Sequence, residues 1–354
     1  MSRGKTLRFD APALGDYATR VLSAVGYPPE DARLCAQGLL EASLRGIDSH
    51  GVAILLPHYV RLLRNHRVQV DTEPVIDLEQ GAIFRVKGRH ALGARTIRFA
   101  IEHAIARCSQ FGIGAAAVAE CGYLGALAVH LVPFSAHDRI LLLTSNSEAC
   151  VAPFGGIEPL HGTNPIAALV PAGKDRALVM DMRTNALRMA DYWQALDSDG
   201  ELPEGAVLQA SGSPTVRPAD ADGGVYLPAG AKGYVLALLV DVLTAGLSGG
   251  PIGQDLRGVG PEQYSAFVLA LDPTVLNPDG GFDSAIERLG RQARSVKPAD
   301  PSRPVRLPGE RAERERSRRV ERGIPVARER FDTMLASLRA EGVDTKPPSP
   351  LEGP

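Results

Sequence analysis

No stretch of this 354-residue sequence is apolar for long enough to cross a bilayer: the longest runs, such as Tyr234 to Val240 ahead of Asp241, fall far short of the roughly 20 residues a membrane helix needs. The start, MSRGKTLRFD, lacks the apolar core and small-residue cleavage site of an export signal, so a cytoplasmic protein is expected. Cysteine is scarce. The four present (Cys35, Cys108, Cys121, Cys150) are scattered without a CxxC pair, which argues against a disulfide framework or a structural zinc site and leaves small buried thiols as the expectation. The eight histidines show no tight ligand spacing, so no metal site is expected. An excess of one charge is also missing: 39 basic against 41 acidic residues give a formal net charge of −2, which implies no nucleic-acid partner. Phosphate-loop, EF-hand and HExxH patterns are absent. The nearest match to G-x-G-x-x-G (Gly112, Gly114, Ala117) follows a helical pattern and opens a strand, the reverse of the order a Rossmann site requires. What is there, 44% hydrophobic and 23% charged residues, is the composition of a soluble globular chain with one large domain or two ordinary ones.

Apolar positions near helical spacing (Tyr17, Val21, Leu22, Val25; Leu34, Leu39, Leu40) predict a helical layer up to about residue 70. GAIFRVKG then alternates like a strand, and Ile97, Ala100, Ile101, Ala104, Ile105 and Cys108 predict an amphipathic helix from Ala94 to Ser109. Strand-like runs follow at Ile113–Ala119, Ile140–Thr144, Ile166–Val170, Leu178–Met182 and Ala266–Leu271. The fold class read from this is an α/β or α+β core. Residues 198–232, rich in Gly, Pro, Asp and Ser, read as a long surface connection near a functional site. KGYVLALLVDVLTAGLSGG reads as a helix packed inside the molecule. Residues 301–330 hold ten arginines against five glutamates, either a solvated helix laced with ion pairs or an anion site for a cofactor phosphate. The tail KPPSPLEGP reads as frayed.

The informative segment is Arg45-Gly46-Ile47-Asp48-Ser49-His50-Gly51. A histidine between serine and glycine sits where the backbone can bend and the imidazole can face a cleft, and it is the side chain best suited to move a proton near neutral pH. SLRGIDSHGV, HALG at 90–93, VAPFGGIEPLHGTNPIA at 151–167, VMDM at 179–182 and LPAGAKGY at 227–234, in this order, resemble the type-2 malate/L-lactate dehydrogenase family over most of residues 8–340. The resemblance implies a non-Rossmann α+β fold: a mixed sheet with a helical layer from both termini, here residues 1–75 with 275–354 as the helical part and 76–274 as the cofactor-binding part. It also implies a homodimer that reduces 2-oxo acids or cyclic imino acids with NADPH or NADH. Ala190-Asp191, where many members carry Gly-Lys, and the PGERAERER segment resemble the Δ1-piperideine-2-carboxylate/Δ1-pyrroline-2-carboxylate reductase branch. Carried over, His50 is the proton donor with Ser49 and Asp191 as relay partners, and Tyr59 and Tyr123 lie at the substrate. The cofactor contacts carried over are Ser147, Thr163, Asp181, Met182, Arg183 and Lys232, with Arg311 and Arg314 at the adenosine phosphate. Arginine forks suit a 2′-phosphate, which favours NADPH.

The chain also departs from the family. The arginine expected just after SHG, a carboxylate clamp, is replaced by the apolar run Val52 to Leu56, and the family's second active-site histidine is Tyr123, whose phenol (ordinary pKa about 10) is a poor base at pH 7. Arg183 puts a bulky cation where the cofactor lies against backbone. Two readings therefore stand: a reductase re-specialised for an unusual substrate, or a family scaffold that has lost nicotinamide binding and performs a non-redox acid–base reaction or a non-catalytic role. Arg183 discriminates. Pairing with a cofactor phosphate favours the first, and filling the nicotinamide pocket or pairing with Asp191 favours the second.

Overall fold

The computed structural model describes residues 6–173, 177–221, 225–256 and 260–351. From the N-terminus come β1 (Thr6–Phe9), α1 (Ala11–Val25), α2 (Pro29–Leu44), α3 (Val52–Arg64), β2 (Val75–Gln80), β3 (Ile83–Lys87), α4 (Gly93–Phe111), β4 (Ile113–Cys121), α5 (Ala128–Leu131), β5 (Ile140–Ser145), β6 (Ile166–Pro171), β7 (Ala177–Met182) and α6 (Met189–Asp197). Then follow β8 (Val207–Leu208), β9 (Pro214–Thr215), β10 (Val225–Tyr226), α7 (Gly230–Asp241), β11 (Tyr264–Leu271), α8 (Pro273–Leu276), α9 (Gly281–Ser295), α10 (Glu310–Arg322), β12 (Ile324–Ala327) and α11 (Arg328–Ala340).

The two ends of the chain build one layer. Helix α1 starts where the Asp10 carboxylate accepts the Ala13 N–H at 3.1 Å and stops at Gly26, whose φ of 111° suits a residue without a Cβ. Its buried stripe (Leu14, Tyr17, Val21, Leu22) packs with Leu56 and Val60 of α3 and Phe331, Met334 and Leu338 of α11. Strand β1 pairs antiparallel with β12, and the Phe9 and Phe331 rings lie 4.5 Å apart.

Among the described residues the main sheet has the order β2-β3-β4-β11-β5-β6-β7. Only β3–β4 is parallel and the other neighbours are antiparallel, so this is an α+β fold rather than a doubly wound parallel one. Ile97, Ala100, Ile101 and Ala104 of α4 cover one face, over Val118, Leu141, Leu143 and Val268.

Residues 75–80, for which the sequence suggests no element, form β2, an exposed edge strand whose mostly polar composition hides it. Three expectations need correction. The connection 198–232 is not featureless: β10-β8-β9 form a small sheet over a core of Leu187, Tyr192, Leu202, Val207 and Tyr226. Helix α7 is not packed inside the chain. Gly233, Ala237, Val240 and Asp241 face inward, where the Asp241 carboxylate meets Nδ1 of His161 at 2.6 Å, while Val235, Leu238, Leu239 and Val242 are 62%, 46%, 48% and 50% exposed. The tail is tied down, since the Leu351 N–H donates to Arg8 O at 2.7 Å. The thiols match expectation: Cys35, Cys108 and Cys121 are buried, Cys150 partly so, and all four are free. Helix α10 carries the ion pairs expected of it, with Glu315 held by both Arg318 and Arg319.

Candidate active site

Helix α2 ends at Leu44, and Gly46, at φ 72°, turns the chain into a short 3-10 segment Asp48–His50. The His50 N–H donates to Ile47 O at 2.9 Å, and the N–H of Val52, the first residue of α3, donates to Ser43 Oγ at 3.0 Å. The imidazole is thus presented from a turn closed at both ends. Ser49 Oγ lies 2.9 Å from His50 Nδ1, which leaves Nε2 as the nitrogen open to a substrate. Burial lowers the His50 pKa below its ordinary value.

His50 lines a cavity with Cys35, Leu55, Tyr59, Leu124, Gly125 and His130. Gly125 has a φ of 67°, and a Cβ built on it would lie 3.8 Å from Cε1 of Tyr123 and 4.0 Å from Cδ2 of His50, so the phenol ring and the imidazole approach each other across this glycine. Tyr59 is buried beside them, one turn past Leu55 on α3. Burial pushes the Tyr123 phenol far above its ordinary range, so it stays protonated near neutral pH and is no base there.

Three further titratable groups meet here that the sequence reading did not single out. His58 stands edge-on to Tyr123 with centroids 4.8 Å apart; burial, helped by Arg61 and Arg67, lowers its pKa to about 4. His130 presents Nε2 to Leu124 O at 2.7 Å, which requires that nitrogen to carry its proton. Glu262 accepts the Tyr123 N–H, and burial raises its carboxyl to about 7. Each is a lone polar residue in an ordinary stretch of sequence, with no spacing to mark it. Only the assembled fold brings them around Tyr123 and His50.

Asp191 is not brought to His50. Arg188, three residues back at the start of α6, grips both its carboxylate oxygens, with Nε at 2.7 Å and Nη2 at 2.6 Å. On the cofactor side, Ser147 Oγ accepts the Thr163 N–H at 3.0 Å, so these two residues from the ends of β5 and the approach to β6 stand together. Asp181 accepts the Ala128 N–H at 2.9 Å, and Met182 beside it is exposed. Arg183 donates from Nη2 to Ala186 O at 3.2 Å, while its Nε is buried without a partner among the described residues. Burial lowers the Arg183 pKa, with the nearby Arg188 adding to the effect. Lys232, Arg311 and Arg314 are exposed and make no ion pair among the described residues. Helix α10 begins against β7, where a Cβ on Gly309 would come within 3.0 Å of the Val179 backbone.

The sequence pattern of the family described as malate/L-lactate dehydrogenase matches residues 9–335. The chain belongs to the malate/L-lactate dehydrogenase family. It is 33% identical over 349 residues to a (2R)-3-sulfolactate dehydrogenase (NADP(+)) of Chromohalobacter salexigens, a match covering 97% of this chain and 99% of that one. It is 31% identical over 328 residues to a Δ1-pyrroline-2-carboxylate/Δ1-piperideine-2-carboxylate reductase of Pseudomonas syringae pv. tomato, covering 89% and 92%. Among solved structures, sulfolactate dehydrogenase from Methanocaldococcus jannaschii superposes with a TM-score of 0.86 at 26% identity, over 96% of this chain and 98% of that one. As a member of this family the chain is an NAD(P)-dependent oxidoreductase.

Proposed function

We propose that the protein interconverts a C=O or C=N bond of a small metabolite, of the 2-oxo acid or cyclic imino acid type, with its reduced form, and that His50 handles the proton. The arrangement of His50 carries this reading: Ser49 occupies Nδ1, and the ring lines a cavity whose walls include Leu55, Tyr59, Leu124 and Gly125. When bound, NADPH or NADH supplies the hydride. Addition of hydride leaves an oxygen or nitrogen one proton short, and His50 Nε2 delivers that proton; in the reverse direction the neutral ring removes it. Ser49 fixes the ring from behind, the phenol of Tyr123 donates a hydrogen bond, and the apolar walls exclude water.

The chain fits a phosphate-bearing dinucleotide. The orphaned Nε of Arg183 is a half-met cation at the end of β7, and Lys232, Arg311 and Arg314 are donors without an ion pair among the described residues. These side chains would hold the phosphates, with Ser147 and Thr163 as hydroxyl donors, and the two arginines of α10 support NADPH over NADH. The match to the family pattern over residues 9–335 and the likeness to an NADP(+)-dependent relative support a redox enzyme over a scaffold that has lost the cofactor. We take Asp191 as a relay partner only in a state that releases it from Arg188. The exposed row Val235, Leu238, Leu239 and Val242 supports a homodimer joined along α7.

Titration of the purified protein with NADPH and with NADH, followed by fluorescence or calorimetry, tests the reading. Saturable binding of at least one, tighter for NADPH, is expected; binding of neither at millimolar concentration would overturn it.

A further inference from the structure

Arg319 lies in α10 and is buried, its side chain only 8% exposed. A guanidinium out of water is costly unless its donors are met, and here they are met by three groups. Nη1 donates to Ser43 O at 2.6 Å and to Asp48 Oδ1 at 2.5 Å, Nη2 to Asp48 Oδ2 at 3.1 Å, and Nε to Glu315 Oε1 at 2.6 Å. Two of the three belong to the segment that delivers His50: Asp48 is two residues before it, and Ser43 is the residue whose hydroxyl holds the Val52 N–H just after it.

The turn has no slack in other directions. A Cβ on Gly46 would come within 3.0 Å of Glu315 Cγ, and one on Gly51 within 2.4 Å of Ser43 Oγ, so the backbone lies flat between α2 and α10. Helix α10 is already tied to α2 by Arg316 with Glu41 and by Arg45 with Glu313. What Arg319 adds is a two-pronged hold on Asp48, whose carboxylate is 58% exposed and would otherwise face solvent.

We propose that Arg319 is a positioning residue for His50: by holding Asp48 and the Ser43 carbonyl it fixes the turn so that the imidazole meets the substrate in register. This rests on the reading of His50 as the proton-handling group. Neither Arg319 nor Asp48 touches substrate, and both act through the backbone of residues 48–50.

The test uses the full-length chain and the variants Arg319→Gln, Arg319→Lys, Asp48→Asn and the Arg319→Gln/Asp48→Asn pair. Cofactor affinity, thermal unfolding, steady-state kinetics and the imidazole resonances of His50 by NMR are measured for each. Arg319→Gln and Asp48→Asn are each expected to lower kcat roughly 10- to 100-fold with cofactor affinity unchanged and the His50 resonances displaced. The pair is expected to lose no more than the worse single variant, because the two side chains form one hold. Arg319→Lys should recover only part of the loss, since an ammonium lacks the fork. Wild-type kcat with unmoved His50 resonances in a folded Arg319→Gln protein, additive losses in the pair, or loss of cofactor binding in step with kcat would each overturn the proposal. Should Arg319→Gln not fold, Asp48→Asn, at an exposed carboxylate, asks the same question. Failure of the wild type to bind either cofactor would instead defeat the proposed function, and the NMR comparison would still report on the hold.

Discussion

The carboxylate of Glu262 accepts the backbone N–H of Tyr123 at 2.6 Å, in an aromatic surround that leaves Glu262 3% exposed. Burial raises its pKa from 4.5 to about 7, so the folded chain binds this proton more tightly than the unfolded one. The stability Glu262 contributes is full below pH 4.5 and is lost as pH rises through about 7; the gap corresponds to about 3 kcal/mol. His58 works in the opposite sense, contributing above 6.5 and losing that contribution as pH falls through about 4. The windows overlap, so the wild-type curve shows their difference. Glu262→Gln keeps an acceptor for Tyr123 and removes the titration. The wild-type melting temperature should fall relative to that of the variant between pH 4.5 and about 7; parallel curves would refute the raised carboxyl.

His50, lowered by burial beneath 6.5, is mostly neutral at pH 7. Reduction needs the protonated ring, so its kcat/KM should decline with rising pH about a midpoint below 6.5, while oxidation should climb over the same range. His50→Ala should cost roughly 10²- to 10⁴-fold in turnover and remove both limbs, with cofactor affinity unchanged. A large loss of cofactor binding in that variant would contradict a role on the substrate proton.

Asp191 is spent on Arg188 at the surface of α6. An exposed pair of this kind contributes at most about 1 kcal/mol, so Asp191→Asn should barely change the unfolding temperature. Its loss of kcat is expected to be much smaller than that of His50→Ala. An equal loss, measured under the same conditions, would mean that α6 delivers Asp191 to the imidazole during turnover.

Val235, Leu238 and Leu239 on the outer face of α7, with Val242 just past its end, recur at i, i+3, i+4 and i+7. Leu239→Glu should convert a dimer into a monomer in sedimentation experiments, with the fold of the single chain retained because residue 239 is 48% exposed within it. An unchanged mass at micromolar concentration would place the contact elsewhere.

Much of the architecture was legible because it is local. The 3.6-residue stripe of α4 and the apolar strands β4, β5, β6, β7 and β11 each announce themselves within ten to twenty residues. The SHG turn was readable for the same reason: a histidine flanked by serine and glycine has its hydrogen-bond partner and its backbone freedom next to it. The edge strand β2 was not, because an exposed edge carries little apolar alternation. The apolar run of α7 was misread because sequence reports how hydrophobic a helix is, not which side the rest of its own chain covers.

The sequence by itself pointed to the family and, through that resemblance, to the α+β class, and it singled out His50, since these rest on motifs that neighbouring residues define. Only the tertiary structure decided what surrounds that histidine. Arg319 reaches Asp48 from 271 residues away, Glu262 lies 139 residues from Tyr123, and Asp191 turns to Arg188 on its own helix. Such contacts are settled by burial: a charged or polar group taken out of water must be met by whatever the folded chain places beside it, and spacing along the chain does not encode that partner.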